Sequence, residues 1–269
     1  MANPYICSVE RFAHKDRSPR KEKNFIYGIR PIQEAIAAEK VFDKVWVAEG
    51  DLSPTMKDIL FALRKKGVIW KQVDFHKLSS MVGGNHQGIV ASISAIEFTE
   101  LEEVISRAYE AGEDPFILLL DGVTDVRNFG AIARTAACAG VHGIAVPAKG
   151  GAAINADAVK TSAGALLTLP VCRYVSVYNA IKMMKSAGLK IAGASEKGSD
   201  LLYKADLSGP LAIILGDEES GISTEAWKLC DTQFKIPLHQ KGVESLNVSV
   251  AAAVLAFESR RQRDARQSR

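Results

Sequence analysis

Cysteine is scarce: Cys7, Cys138, Cys172 and Cys230 are widely spaced in 269 residues and form no CxxC pair. That argues against a zinc site or a disulfide framework and suits a reducing compartment. Long apolar runs are missing too, and none approaches the roughly 20 residues that cross a bilayer. The opening Met-Ala-Asn-Pro-Tyr-Ile-Cys lacks a basic start followed by an apolar stretch, so no secretory leader is expected. The usual signatures of several enzyme classes are also absent. No GxGxxG follows a strand, no P-loop and no GxSxG occurs, and His14, His76, His86, His142 and His239 show no HExxH or other metal-type spacing. Dinucleotide, NTPase, hydrolase and metalloenzyme readings thereby lose their support, and an oxidoreductase would rest on fold analogy alone.

At 47% hydrophobic and 24% charged residues, the composition is that of a packed chain rather than a disordered one. The net charge of +3 is unevenly placed. Residues 1–23 carry six basic and three acidic side chains, residues 259–269 carry five arginines and one aspartate, and the intervening body sums to −4. Two basic ends flanking an acidic body are placed to reach a polyanion.

Periodicity predicts two α/β units. In the first, residues 31–38 and 55–66 read as helices and residues 44–48, 68–73 and 88–93 as strands. A helix over 99–111 connects it to the second. There the apolar run 116–120 reads as a strand buried on both faces. Further strands are predicted at 143–146, 169–172, 190–194, 211–215 and 234–236, and helices at 128–139, 155–166, 177–187, 224–230 and 246–262. Gly140 is the expected cap after the 128–139 helix. Strands alternating with helices imply a mostly parallel sheet covered on both sides.

Three segments of the second unit depart from plain fold-building. The first leads from Asp121-Gly122, at the carboxyl end of a strand, into a helix carrying Asn128 and Arg134. Read singly, Asn128 is a helix cap and Arg134 a surface arginine. The second is Leu215-Gly216-Asp217-Glu218-Glu219-Ser220-Gly221-Ile222, where an apolar strand ends in a Gly-bounded acidic turn. Glycine there lets backbone approach a ligand, while three carboxylates repel phosphate. Alone, the same residues read as an acidic helix start. The third runs from Ile236-Pro237-Leu238 to Ser245-Leu246-Asn247, with Ser245 read as the cap of the last helix. An asparagine just inside a helix is a poor choice for stability, so a polar ligand contact at Asn247 is expected.

In this order the three segments resemble the signature motifs of the SpoU (TrmH-type) branch of the SPOUT RNA methyltransferases, and Lys160-Thr161-Ser162-Ala163-Gly164-Ala165 fits the same family. Tyr27-Gly28-Ile29-Arg30 and His86-Gln87-Gly88 look like the small RNA-binding domain, similar to ribosomal protein L30e, of the RlmB-like subgroup. The chain departs from the pattern at Asp217, where Asn is commoner, at Leu238, where Met is usual, and in a loop before Ser245 about one residue longer than usual.

The resemblance implies an α/β chain with a basic tail (1–23), an L30e-like domain (24–95), a linker helix (96–114), a trefoil-knotted methyltransferase domain (115–259) and a second basic tail (260–269). It also implies a cytoplasmic homodimer that needs neither membrane nor metal. The implied reaction moves a methyl group from S-adenosylmethionine to a ribose 2′-OH, with a guanosine of large-subunit ribosomal RNA as the expected acceptor. A tRNA acceptor and a catalytically silent RNA-binding dimer are the alternatives. The implied catalytic set is Asn128, Arg134, Glu218, Ser245 and Asn247. Leu215, Gly216, Gly221, Ile236, Leu238 and Leu246 are the implied cofactor-binding set.

Overall fold

The computed structural model of the chain describes residues 25–217, 219–239 and 245–267. The expected basic tail over 1–23 lies outside them.

The first unit runs β1 (Phe25–Tyr27), α1 (Ile29–Ala37), β2 (Phe42–Ala48), α2 (Pro54–Lys65), β3 (Trp70–Val73), α3 (Phe75–Met81) and β4 (Ile89–Ile93). Its strands lie in the order β1-β4-β2-β3, with β4 antiparallel to both neighbours and β2 parallel to β3. Period-2 alternation sends Val45, Val47, Ile89 and Ala91 to one face of this sheet. There they meet Ile32 of α1 and Met56, Ile59, Leu60 and Leu63 of α2. Trp46 and Val90 face the other side, toward Leu78 of α3. Ser53 starts α2 by accepting from the Met56 N–H at 3.2 Å, with Pro54 in the first helical turn. Sequence periodicity misses β1, which is three residues long, and α3. The cap of α3 is Asp74, whose carboxylate accepts from the His76 N–H at 2.8 Å.

The second unit contains α4 (Leu101–Glu110), β5 (Phe116–Asp121), α5 (Val126–Cys138), β6 (Gly143–Pro147), α6 (Ala156–Thr161), β7 (Val171–Tyr174), α7 (Val177–Ser186), β8 (Lys190–Ala194), β9 (Asp200–Leu201), β10 (Leu211–Gly216), α8 (Thr224–Lys228), β11 (Thr232–Lys235) and α9 (Val248–Gln267). Its seven strands are ordered β7-β6-β5-β10-β8-β11-β9, and every pairing is parallel. Phe116, Leu118 and Leu120 of β5 point toward α5, α6 and α9, whereas Ile117 and Leu119 point toward α4, α7 and α8. Each such fully buried side chain contributes about 1.5–3 kcal/mol. The 96–114 connector is thus part of this unit's helical layer, because Leu101, Val104, Ile105 and Ala108 of α4 are buried against the sheet.

Two sequence-based boundaries need correction. The helix expected over 155–166 breaks at Ala163 (φ 52°) and Gly164 (φ 86°) and resumes as a 3-10 turn at Ala165–Leu167. The basic tail expected from 260 is instead the last two turns of α9. Arg263 donates to the carbonyls of Asp114 (2.8 Å), Pro115 (3.3 Å) and Gly209 (2.5 Å), and its guanidinium lies over the Phe116 ring. Arg260 pairs with Asp264 and Arg261 with Glu258. Arg260, Arg261 and Arg263, expected in a basic tail, thus have intrachain partners.

From β5 the chain winds outward through β6 and β7, then crosses to lay β8 on the far side of β10. The β5/β10 junction is therefore the switch point of the sheet, and the crevice beyond its carboxyl ends is where such sheets take ligands.

Candidate functional site

The carboxyl ends of β5 and β10 stand in register, Asp121 beside Gly216. Three local structures converge above them.

The first is the entry to α5. Asp125 is its cap and accepts from the Asn128 N–H at 2.7 Å. Asn128 is therefore not the cap expected from sequence. It sits in the first turn of the helix. Gly130 faces α6, where a Cβ would come within 2.7 Å of Thr161 Cβ and 2.9 Å of the Ala158 carbonyl oxygen.

The second is the turn after β10. Asp217 Oδ1 accepts from the N–H groups of Glu219 and Ser220, both at 2.7 Å, and Oδ2 accepts from the Ser220 hydroxyl. The Ser220 hydroxyl, followed by its N–H and that of Glu219, holds the Asp217 carboxyl below the usual range despite partial burial. Gly221 donates back to the Asp217 carbonyl at 3.1 Å. The turn packs so closely onto β10 that a Cβ on Gly216 would lie 2.0 Å from the Gly221 carbonyl carbon. Glycine at 216 is thus required by the chain's own backbone. The acidic residues precede α8, whose cap is Ser223, so the acidic-helix-start reading also falls. Glu218 lies outside the described residues.

The third is the start of α9. Asn247, not Ser245, caps it. The Asn247 carbonyl accepts from Val250 and Ala251, and its Oδ1 accepts from the Ser249 N–H at 2.9 Å. An asparagine that looked misplaced one turn into a helix is well placed at its cap.

Long-range contacts tie the three together. Asn247 Nδ2 donates to Asn128 Oδ1 at 3.1 Å across 119 positions. The Ser223 N–H donates to Asp121 Oδ2 at 2.8 Å. Gly122 (φ 90°) leaves room for Asp217, whose Oδ2 would lie 3.2 Å from a Cβ there.

A cleft of about 760 Å³ opens beside these ties. Leu215, Gly216, Gly221, Ile236, Leu238 and Leu246 all line it, as does Ser245. Six positions spread over 32 residues are thus brought to one concavity. A smaller hollow of about 360 Å³ adjoins it, bounded by Gly122, Asp125, Asn128 and the Asp217 turn. Arg134 lines neither. It is exposed on α5, nearly two turns beyond Asn128, with no hydrogen bond or ion pair to a described residue. The single chain therefore assembles Asn128, Asn247 and Ser245 at one place and leaves Arg134 outside it.

Sequence reasoning missed four contributors. Asp121 and Asp217 act as organisers of the turns, and the only hint was that each ends an apolar strand. Glu196 and Lys197 enter the cleft from the end of β8. Nothing local marks them, because only the strand order brings β8 next to β10. Among the described residues no group of three or more His, Cys, Asp and Glu side chains is placed to hold a metal ion. No helix among them is long and apolar enough to cross a membrane.

Comparison with known proteins places both units in known families. Residues 115–257 match the SpoU rRNA Methylase family, and residues 25–99 match the family described as RNA 2'-O ribose methyltransferase substrate binding. The chain is 36% identical to the 23S rRNA (guanosine-2'-O-)-methyltransferase RlmB of Xylella fastidiosa, over 90% of this chain and 98% of that one. It is 32% identical to RlmB of Escherichia coli K12, over 88% and 98%. Among solved structures, the SpoU methyltransferase AviRb of Streptomyces viridochromogenes superposes with a TM-score of 0.58 at 25% identity, covering 91% of each chain.

Proposed function

The chain belongs to the SpoU rRNA methylase family, and from that premise we propose that it transfers a methyl group from S-adenosylmethionine to a ribose 2′-OH, on a guanosine of 23S ribosomal RNA. The observation that carries the reading is the junction of the three motif segments, joined by the Asn128–Asn247 bond beside the cleft.

The cleft suits S-adenosylmethionine. Its volume is in the range of small-molecule sites. Leu215, Ile236 and Leu246 offer apolar walls for a purine ring, and the carboxylates of Glu196, Asp217 and Glu219 outnumber the ammonium groups of Lys197 and Lys235, leaving a lining that complements a cation. When bound, S-adenosylmethionine supplies a methyl group on a cationic sulfur, already electrophilic. The task left to the protein is to align and activate a hydroxyl that is a weak nucleophile near neutral pH. Arg134 supplies positive charge to the developing alkoxide. A guanidinium already carries its full complement of protons and cannot act as the base, so the hydroxyl proton goes to an RNA phosphate. Asn128 and Asn247, each held by the other, orient the acceptor's polar groups, and Glu218 and Ser245 shape the site beside the methyl donor. The 24–95 unit and the basic 1–23 segment select and capture RNA, giving salt-sensitive affinity.

The reading includes a trefoil-knotted chain path, a homodimer and a cytoplasmic place of action. α9 packs against both α5 and β10, as such a path needs. Val250, Val254 and Phe257 recur at helical spacing on α9, with Val250 and Phe257 half exposed, beside the helix that carries Arg134. A second copy covering this stripe would bring Arg134 to the partner's cleft. Among the described residues Cys138, Cys172 and Cys230 are free thiols, in keeping with a reducing cytoplasm.

A transfer assay with tritiated S-adenosylmethionine tests the proposal. Label is expected in 23S rRNA, with turnover in Arg134→Ala falling by roughly a hundredfold or more, on the scale of losing one charge-stabilising donor, while cofactor affinity stays unchanged. Label in tRNA instead would replace the acceptor. No label in any RNA favours a silent binder, and wild-type turnover in the variant removes Arg134 from the site.

A further inference from the structure

Among the described residues only one carboxylate is fully enclosed, and it lies in neither core. Asp43, on β2 of the first unit, has a side chain 2% exposed and pairs with Arg173 on β7 of the second at 2.5 Å. Arg173 also donates to the carbonyls of Phe42 (3.0 Å) and Asp43 (3.1 Å), and its guanidinium lies 3.7 Å from the centre of the Phe98 ring. The second oxygen of Asp43 accepts from the Ser92 hydroxyl at 3.3 Å. Next to it, Lys44 Nζ donates to the Gly151 carbonyl at 2.7 Å. The connecting segment is stitched down as well, by the Ala95 N–H to Ile154 and the Thr99 N–H to Val171, both at 3.0 Å.

A buried ion pair is weak evidence for stability, since its desolvation offsets most of its attraction and an apolar pair would serve as well. What it does impose is one arrangement. A forked guanidinium that must meet a carboxylate and two carbonyls accepts a single geometry, whereas an apolar patch tolerates sliding. The place matters too. Arg173 is near the carboxyl end of β7, and Gly151 lies in the loop after β6. In an all-parallel sheet these are on the same edge as the cleft. The first unit is thus clamped to the end of the sheet at which the cleft opens, not hung from a loose tether.

We propose that the Asp43–Arg173 pair is an interdomain joint that fixes the reach between the RNA-selecting unit and the cleft, so that these two positioning residues determine which ribose is methylated. This rests on the methyltransferase reading. An RNA held by the first unit presents its ribose at a fixed distance, and loosening the joint lowers the effective concentration of the correct 2′-OH while admitting its neighbours.

The full-length chain is tested with Asp43→Asn, Arg173→Gln and the more conservative Arg173→Lys, which keeps the charge and loses the fork. Small-angle scattering should show a larger radius of gyration in the first two. Affinities for S-adenosylmethionine and for 23S rRNA should stay within about twofold. Kcat should fall about tenfold or more with KM little changed, as misplacement of reacting groups demands, and mapped 2′-O-methyl marks should spread to adjoining nucleotides. Arg173→Lys should recover part of kcat and of the single-site pattern. An unchanged scattering profile in all three variants overturns the joint, whatever the activity. A changed profile with wild-type kcat and a single mark overturns its part in specificity. If the wild-type chain methylates no RNA, the functional reading fails by itself, and the scattering comparison still decides whether the joint exists.

Discussion

Gly216→Ala probes the turn on which the site is built. The added Cβ would stand 2.0 Å from the Gly221 carbonyl carbon and 2.2 Å from the Ile222 nitrogen, where ordinary contact begins near 3.4 Å. Both neighbours are backbone, so no side-chain rotation relieves the clash, and the turn must withdraw by more than about 1 Å. Withdrawal strains the Gly221-to-Asp217 bond and pulls Ser223 from Asp121. Overpacking of this kind costs ~1–3 kcal/mol, and one weakened hydrogen bond adds about 1 kcal/mol. At ~2–4 °C per kcal/mol for a chain of this size, the melting temperature should drop by ~5–15 °C. Gly221→Ala is the control. It meets nothing within 4 Å and pays only for a φ of 69°, a cost of about 1–2 kcal/mol. Thermal unfolding and calorimetric titration with S-adenosylmethionine read both effects. The 216 variant should be the less stable and should lose most of its cofactor affinity. A melting temperature within about 2 °C of wild type, or the reverse order of the two variants, would refute the close-packed turn.

Further outcomes follow from other contacts. Arg263→Ala removes donations to three carbonyls, of which that of Pro115 keeps the Leu211 N–H, and should destabilise the chain by about 2 kcal/mol in urea unfolding, more than truncating an ordinary surface arginine. Ser220→Ala should raise the Asp217 carboxyl toward its ordinary value. Because the folded group lies below that value, the stability it lends is complete above about pH 3.9 and fades on acidification. The gap between wild type and variant should therefore close as pH falls, and a gap that widens in acid contradicts the assignment. Phe257→Glu puts a charge into the exposed apolar stripe of α9 and should shift light-scattering mass from dimer toward monomer. Arg134→Ala and Phe257→Glu should then fail together in turnover while each retains cofactor affinity.

Much of the architecture was readable because local signals agreed. The apolar run at 116–120 became β5, buried on both faces, and Met56, Ile59, Leu60 and Leu63 became the inner stripe of α2. Failures fell where elements were too short to show a period, as with β1 and the two-residue β9, or where a cap outside the periodic stretch set the boundary. The end of α9 misled for a different reason. A run of arginines looks the same in sequence whether it is solvated or anchored, and only the fold brings the carbonyls of Asp114, Pro115 and Gly209 within reach of Arg263.

The site divides along the same physical line. The six positions expected to hold the cofactor lie at strand ends, a Gly-bounded turn and a helix start, which have local signatures, and one cleft collects all six. The roles inside those turns were not legible, because capping is decided by which residue first adopts helical geometry. Asp125 took the cap expected of Asn128, and Asn247 took the one expected of Ser245. That exchange changes the chemistry. It frees the Asn128 side chain to meet Asn247, so the two asparagines join motifs 119 positions apart instead of each finishing its own helix. Arg134 is the complementary case. It matches its motif, yet its chain leaves it exposed and away from the cleft. In the proposed homodimer, a residue that matches its motif but lies away from the cleft in one copy would serve a site shared between two copies. The exposed Val250 and Phe257 beside α5 supply the surface on which the second copy would complete it.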